Sequence, residues 1–468
     1  MTKPWIQIQR RQDASCSREG SAKWALAAFA VLPVLLTTPL QAENWPQWRG
    51  PSGTGVSAET KLPTHWSRDS NIAWKAPLHG LGVSSPIVWG DRVFVTSQVG
   101  TGALRPGRHP RLVQRGDPAA AGERALGGAR PEGGPDAKVA FVVAAFDRKD
   151  GRKIWEYELS SQGELPPVHD KHNLATPSPV TDGDRVYAWF GNGQLVALDM
   201  NGKPVWTRHL GQEYGAFEIN WGHASSPVVY RDRLILLCYH NQSSYLLSLD
   251  KLTGKELWRI EQDKERRSYS TPLIIETPQG PELIVNSSDR VEAFHPVTGE
   301  YLWHFDEPNR FPIPMPVYEQ GMLYLSRGYR SGPYMALRTG GRGAVSQTHL
   351  VWHVPTGAPY ISSLVYYDGL LYMASELGIV TCIDARTGEH VWRERLGGFF
   401  SASPVAADGK IYLLSETGEM IVLRAGRKPD VLARNTLDEQ CLASPAISGG
   451  QIFIRTDRHL FAIQSDSR

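Results

Sequence analysis

Cysteine is scarce in this chain of 468 residues: four in all, Cys16, Cys238, Cys382 and Cys441, set far apart. No Cys-x-x-Cys or Cys-x-x-Cys-His spacing occurs, which excludes c-type haem attachment and the usual zinc sites, and so few cysteines cannot build a disulfide framework. The last three read as buried apolar thiols. An excess of charge of one sign is missing too. Lys+Arg 50 against Asp+Glu 48 leaves +2, which excludes a nucleic-acid reader working through bulk charge. There is no Ser/His/Asp nucleophile frame and no phosphate-cradling glycine loop. The apolar run at residues 24–36 has 13 residues, short of the roughly 20 that a membrane-spanning helix needs.

What is abundant is turn chemistry. With 45 Gly and 33 Pro, the chain reads as many short strands joined by turns, and 41% apolar residues suffice for a large core. Fifteen Trp are the other excess.

Residues 1–42 read as a signal peptide. Arg10, Arg11, Arg18 and Lys23 precede the apolar run, and Leu40-Gln41-Ala42 is a small-residue exit, so cleavage is expected after Ala42. An uncleaved anchor is the competing reading. A periplasmic or secreted location follows, with no transmembrane segment in the mature chain.

Self-similarity organises the rest. Leu249-Asp250-Lys251-Leu252-Thr253-Gly254 leads to Trp258, as Ile383-Asp384-Ala385-Arg386-Thr387-Gly388 leads to Trp392. The frame recurs from Asp147 to Trp155, from Asp199 to Trp206 and from His295 to Trp303. Asp bonds back to the turn's own backbone, and Gly takes the positive φ that closes a hairpin. A second frame begins at Ser85-Pro86, Ser178-Pro179, Ser226-Pro227, Thr271-Pro272, Met315-Pro316, Ser403-Pro404 and Ser444-Pro445, with Ser363-Leu364 an eighth copy lacking proline. Pro suits the first residue of a strand. Trp-type strands fall at Trp74, Trp155, Trp206, Trp258, Trp303, Trp352 and Trp392, with Leu432 in the last place.

The two frames predict an all-β fold, a single eight-bladed β-propeller of four-stranded antiparallel blades over residues 71–466, with residues 43–70 an N-terminal extension. The final unit stops without a Trp strand, so residues 71–77 are expected to pair with residues 460–464 and close the ring. Seven blades is the alternative count. Each repeated Trp is expected to wedge between neighbouring blades.

The Leu-Asp-x-x-Thr-Gly-x-x-x-Trp frame resembles the repeat of the pyrroloquinoline-quinone (PQQ) propeller superfamily, which includes quinoprotein alcohol dehydrogenases and the outer-membrane β-barrel assembly lipoprotein. Asn44-Trp45-Pro46-Gln47-Trp48-Arg49-Gly50-Pro51 is similar to the opening of secreted bacterial PQQ-like-repeat proteins. The resemblance implies the propeller, and either an envelope scaffold or a dehydrogenase using PQQ with Ca²⁺. The adjacent cysteines of many such dehydrogenases are absent here, as is the lipidated cysteine of the assembly protein.

Topology singles out one face. Turns between second and third strands and connections from one blade to the next open on the same edge, here called the upper edge. Extra length collects there: an insertion at 98–138, rich in Gly, Ala, Pro and Arg, the connections after Trp155 and Trp206, and residues 327–333. Residues 339–347 should open on the opposite edge. Ahead of successive inner strands lie His172 and Asn173; Asn220, Trp221 and His223; Arg266, Arg267 and Tyr269; Asn309 and Arg310; Tyr360; and Phe399 and Phe400. Ten of these, His172, Asn173, Asn220, Trp221, His223, Arg267, Tyr269, Arg310, Tyr360 and Phe400, form the candidate ligand-binding set at the channel mouth. Arginines and aromatics suit an anionic or planar ligand, an envelope protein is the other candidate partner, and packing of these residues on one another is the bland alternative. The run His169-Asp170-Lys171-His172 is too compact for a metal site by itself, and Glu213, Glu218 and Asn220 lack any EF-hand-like spacing.

Overall fold

The computed structural model describes residues 43–100 and 139–465, apart from residues 164, 170, 220, 242 and 330. The expected signal peptide and the insertion beyond residue 100 lie outside the described residues. Strands dominate, and they form eight antiparallel sheets arranged as the blades of a ring, with a four-residue helix at Leu210–Glu213. Blade 1 runs Ile87–Trp89, Arg92–Val99, Ala140–Asp147 and Lys153–Ser160, from the axis outward. Blades 2 to 7 repeat this order. Val99 pairs with Ala140 at the upper edge.

Blade 8 is made from both ends of the propeller. Ala446–Ser448, Gln451–Arg455 and His459–Gln464 take their outer strand from Ile72–Pro77, with Trp74 opposite Ala462 and Pro77 opposite His459. Closure by the N-terminal strand is as the repeat implied.

The blades are fastened at two radii. At the outer radius each Trp-type indole lies on the next blade's turn between third and fourth strands. Trp74 donates Nε1–H to Arg148 O at 2.8 Å, Trp155 to Met200 O at 2.8 Å, Trp206 to Lys251 O at 3.1 Å and Trp258 to Val297 O at 3.1 Å. Trp352 reaches Ala385 O at 2.9 Å and Trp392 reaches Gly426 O at 3.1 Å. Two or three residues past five of these carbonyls stands the turn glycine: Gly151, Gly202, Gly254, Gly299 or Gly388. Each has φ between +71° and +82°, and a Cβ there would come within 2.5–3.1 Å of the docked indole. Glycine is therefore required twice, by the backbone and by the ring above it. The turn's Asp behaves as expected: Asp250 Oδ1 accepts from Thr253 N at 2.7 Å. His295 replaces it with Nδ1, which accepts from Thr298 N at 3.1 Å.

The two exceptions have physical causes. Leu432 faces blade 8, whose third and fourth strands come from distant parts of the chain, so no connecting turn waits to receive an indole. Trp303 meets a lengthened turn at residues 339–347. It donates instead to Glu282 Oε2 at 2.9 Å, while Gly343–Ala344 adds a fifth, parallel strand beside Trp303 and His304.

At the inner radius the residues before the strand-start prolines form a hoop. Ser85 N donates to Ser178 Oγ (2.9 Å), Ser178 N to Ser226 Oγ (3.0 Å) and Ser226 N to Thr271 Oγ1 (2.9 Å). Met315 N donates to Ser363 Oγ (2.9 Å), Ser363 N to Ser403 Oγ (3.0 Å), Ser403 N to Ser444 Oγ (2.9 Å) and Ser444 N back to Ser85 Oγ (3.0 Å). The step from Thr271 to Met315 has no hydroxyl to accept. Each link satisfies a buried N–H that lies just ahead of the strand ladder.

The N-terminal extension is part of the ring. Trp45 exchanges backbone bonds of 2.9 and 2.8 Å with Val88 of blade 1, and Thr181 N of blade 2 donates to Pro46 O at 2.9 Å. Gly53 sits against Leu273 and Met315 of blades 4 and 5. The buried Arg49 guanidinium donates to Leu364 O of blade 6, Ala406 N of blade 7 donates to Gly55 O at 2.8 Å, and Ser448 Oγ of blade 8 donates to Glu43 O at 2.6 Å. A segment touching the innermost strands of seven blades lies inside the ring, so residues 43–57 form an inner plug that narrows the channel below the hydroxyl hoop.

The indole dock separates burial from hydrogen bonding. Trp206→Ala should lower unfolding stability by about 3 kcal/mol. Trp206→Phe keeps most apolar contact and loses one hydrogen bond, so it should cost only about 1 kcal/mol. Urea unfolding of the two variants measures both, and equal losses would contradict burial as the main contribution.

Candidate functional site

The upper edge gathers several of the expected residues into one aromatic cluster. Trp221 comes from the connection into blade 3, Tyr269 from that into blade 4, Phe311 from that into blade 5, Tyr360 from that into blade 6, and Tyr329 from the second-to-third turn of blade 5. Phe311 meets Trp221 edge-on with centroids 4.4 Å apart and Tyr329 edge-on at 4.9 Å. Tyr269 lies 6.2 Å from Trp221, and Tyr329 lies 5.6 Å from Tyr360. Arg267 and Arg310 both stack on Phe311, their guanidinium carbons 5.7 and 5.1 Å from its centroid. Arg267 Nε also donates to Asn241 Oδ1 at 2.8 Å, and Arg267 pairs with Glu265. Burial raises the Tyr269 phenol well above its ordinary value, so it stays neutral.

A second group covers the mouth from the opposite side. Residues 171–176 begin the entry into blade 2. Lys171 Nζ reaches Glu416 Oε1 of blade 7 at 2.7 Å, and both side chains are nearly buried, 8% and 2% exposed. Ser401 also donates to Glu416. Asn173 Nδ2 donates to Leu81 O at 2.7 Å, its Oδ1 accepts from Ala175 N at 3.0 Å, and His169 N donates to Trp221 O at 3.0 Å. Asn173 is thus wholly engaged in fixing this strap.

His172 and His223 lie beneath. His172 Nδ1 is 3.0 Å from Thr176 Oγ1, and its ring abuts Gly222. His223 is edge-on to Trp189 at 4.4 Å, and Phe217 separates it from His240. His223 and His240 are 1% and 0% exposed, and neither ring nitrogen of either is hydrogen-bonded. Burial holds His223 down to about 3 and His172 and His240 down to about 4, with neighbouring imidazoles adding to the effect for His223 and His172.

Of the candidate set, Trp221, Tyr269, Arg267, Arg310 and Tyr360 come together at the mouth, and His172, Asn173 and His223 pack beside and beneath them. Phe400 does not join them. It is buried in the apolar core of blades 6 and 7, and Phe399, 56% exposed, is the residue that remains on the face. Adjacent positions point to opposite sides of an extended chain, and the register decides which turns inward. Asn220 lies outside the described residues. Phe311, Tyr329, His240 and Glu416 complete the packing beneath the mouth without having been singled out in the sequence. The first directly follows Arg310, and the second lies in the lengthened connection 327–333, so both carried a usable positional signal.

Among the described residues no three His, Cys, Asp or Glu side chains gather into a metal-binding set. No described helix is long and apolar enough to cross a membrane.

The ring of four-stranded blades, docked through a Trp on an Asp/Gly turn, defines a PQQ-type repeat propeller. The chain belongs to the family described as outer membrane protein assembly factor BamB, whose model matches residues 139–305 and 287–428. A relative of that name from Shewanella oneidensis is 26% identical over 255 residues, covering 45% of this chain and 61% of the relative. The chain spans less than two thirds of the length of the curated assembly factors it matches. Among solved structures, BamB from Moraxella catarrhalis is similar with a TM-score of 0.51 at 15% identity, covering 70% of this chain and 89% of that one. Quinohemoprotein alcohol dehydrogenase from Comamonas testosteroni is similar with a TM-score of 0.65 at 12% identity, covering 91% and 81%. At such identities both structures bear on the fold alone.

The Lys171–Glu416 pair crosses the mouth, and its energetics are separable. Lys171→Met or Glu416→Gln alone leaves an uncompensated buried group and should cost about 3–5 kcal/mol, whereas the double change should recover most of the loss. A double-mutant cycle by denaturant unfolding measures this, and additive losses would show that the two groups do not act as a pair.

Proposed function

We propose that the protein is an exported, non-catalytic scaffold of the bacterial cell envelope that presents its upper edge to a protein partner or to a small anionic or aromatic ligand. Membership of a family described as an outer membrane assembly factor supports the envelope role. The observation that carries the reading is the division of labour between the two edges. Residues 43–57 line the axis below, while the long connections and the aromatic cluster with Arg267 and Arg310 stand above. Binding on such a face needs no reacting group, only stacking surface and guanidinium donors.

A PQQ-dependent oxidation of an alcohol or sugar, with Ca²⁺ beside the quinone, is the second reading, favoured by the likeness to the alcohol dehydrogenase fold. The described residues do not fit that group. A planar tricycle needs an open aromatic face, but Trp221 is flanked by Phe311, Tyr269 and Tyr329. Ca²⁺ needs several oxygen donors, but Glu416, the carboxylate that reaches the strap, is committed to Lys171 and Ser401.

Site-directed photo-crosslinking in the native envelope tests the scaffold reading. A crosslinker at Phe399 on the upper edge should capture a discrete partner, and one at Leu252 on the lower edge should not. Arg267→Ala combined with Arg310→Ala should weaken the Phe399 adduct at least tenfold in a protein that remains folded. Equal capture from both edges would remove the proposed binding face. Turnover of an alcohol or sugar by the pure protein with added PQQ and Ca²⁺ would replace the scaffold reading with the second one.

A further inference from the structure

Three histidines converge where blades 2 and 3 meet. They come from different elements: His172 from the strap, His223 from the connection into blade 3, and His240 from the end of that blade's second strand. Their surroundings are apolar. His223 lies against Trp189 and Phe217, and His240 lies 4.8 Å from Phe217 and 6.1 Å from Tyr245. His172 touches Gly222, one residue from His223. Four ring nitrogens, two on His223 and two on His240, have no hydrogen-bond partner although both side chains are almost wholly buried. A buried polar group left unsatisfied is costly and marks a place poised for change.

We propose that this junction is an acid-operated latch: protonation of His223 and His240 expels their rings from between blades 2 and 3, releases residues 171–176 and uncovers the axial mouth. An imidazolium in this environment finds no opposite charge, and the backbone groups near His223 and His172 offset only part of the cost of burial. The charged groups acting on His223 are His240 and His172, and the one acting on His172 is His169, all cationic when protonated. Lys171 is already held by Glu416, and Arg267 faces Asn241, the residue after His240. No carboxylate is among the groups acting on these three rings.

The direction of the effect follows from linkage. In the closed form His223 is held down to about 3 and His240 to about 4 by burial, whereas an exposed imidazole titrates near its ordinary value of 6.5. The open form therefore binds more protons as pH falls from about 6.5 toward 4, and the closed form is fully favoured above 6.5. Each of the two groups multiplies the opening equilibrium by about 30 at pH 5 relative to neutral pH and above. The latch does not depend on which ligand the upper edge takes. It depends only on the packing of the strap.

Amide hydrogen exchange of the whole protein, corrected for the intrinsic pH dependence of exchange, tests it between pH 7.5 and 4.5. Protection of residues 171–176 and 221–225 should fall at least tenfold by pH 5, while the docked turn at residues 250–254 keeps its protection. In the double variant His223→Gln, His240→Gln that selective fall should disappear. A wild-type protein whose strap and docked turn lose protection together, or a folded double variant that behaves like wild type, overturns the proposal. If the variant does not fold at pH 7.5, the imidazole resonances of the wild type decide. Rings that titrate near 6.5 without strap exchange refute the latch, and rings that titrate only as the strap opens support it.

Discussion

One contact sets the geometry of this molecule: an indole lying on the glycine of the neighbouring blade's turn, with its N–H on that turn's carbonyl. A four-stranded sheet has two apolar faces and cannot be stable by itself. Stacking sheets face to face buries both, but without a fixed spacing the ring could close with the wrong number of blades. The dock supplies that spacing at the rim, because the indole lies so close over the glycine that no side chain fits between them. The serine hoop supplies it at the axis through links of 2.9–3.0 Å. Two fastenings at different radii fix both the distance and the angle between blades.

The places where each fastening is missing are where the chain does something else. Leu432 stands where the ring closes and no turn exists. Trp303 stands where an inserted strand covers the outer edge of blade 4, and the neighbouring step of the hoop, from Thr271 to Met315, is the one without a hydroxyl. Gly53 of the axial plug packs on the Met315 side chain at that same step. Loss of a hydrogen bond there coincides with apolar contact to the N-terminal segment, so the plug offsets the local defect in the hoop.

The fold was legible because its fastenings use residues that repeat. Trp, Gly and Ser-Pro recur at fixed spacing, and one side chain per blade does the same task each time. The upper edge was legible only in outline. Trp221, Tyr269 and Tyr360 could be placed at the mouth by their position before an inner strand, but that position does not say which neighbour a side chain meets. Phe400 turned into the core and left Phe399 outside. Glu416 gave no warning, since its partner Lys171 lies on the far side of the ring and 245 positions away. The serine hoop was in view as a small residue before each proline, yet its hydrogen bonds run between blades, and no window of sequence contains both ends of a link. The opening motif from Asn44 to Pro51 resembled a family signature without any visible task. In the structure Trp45, Arg49 and Gly50 are its buried members.

The buried arginines explain why the axis is a structural region. Arg49, Arg327 and Arg455 are almost wholly buried, and their described hydrogen bonds go to carbonyls, hydroxyls and one amide rather than carboxylates. Burial holds Arg49 and Arg455 down to about 9 and Arg327 to about 10, so all three remain charged at neutral pH. A guanidinium presents five donors in a rigid plane, which suits it to gather oxygens from several loops at once. Arg49 ties the plug to blade 6, Arg455 ties blade 8 to Ser84 and Ser97 of blade 1, and Arg327 ties blade 5 to Asn286 and Ser287 of blade 4. Each guanidinium therefore acts as a cross-blade clamp, while Arg49 Nη1, Arg327 Nε and Arg455 Nε find no described partner.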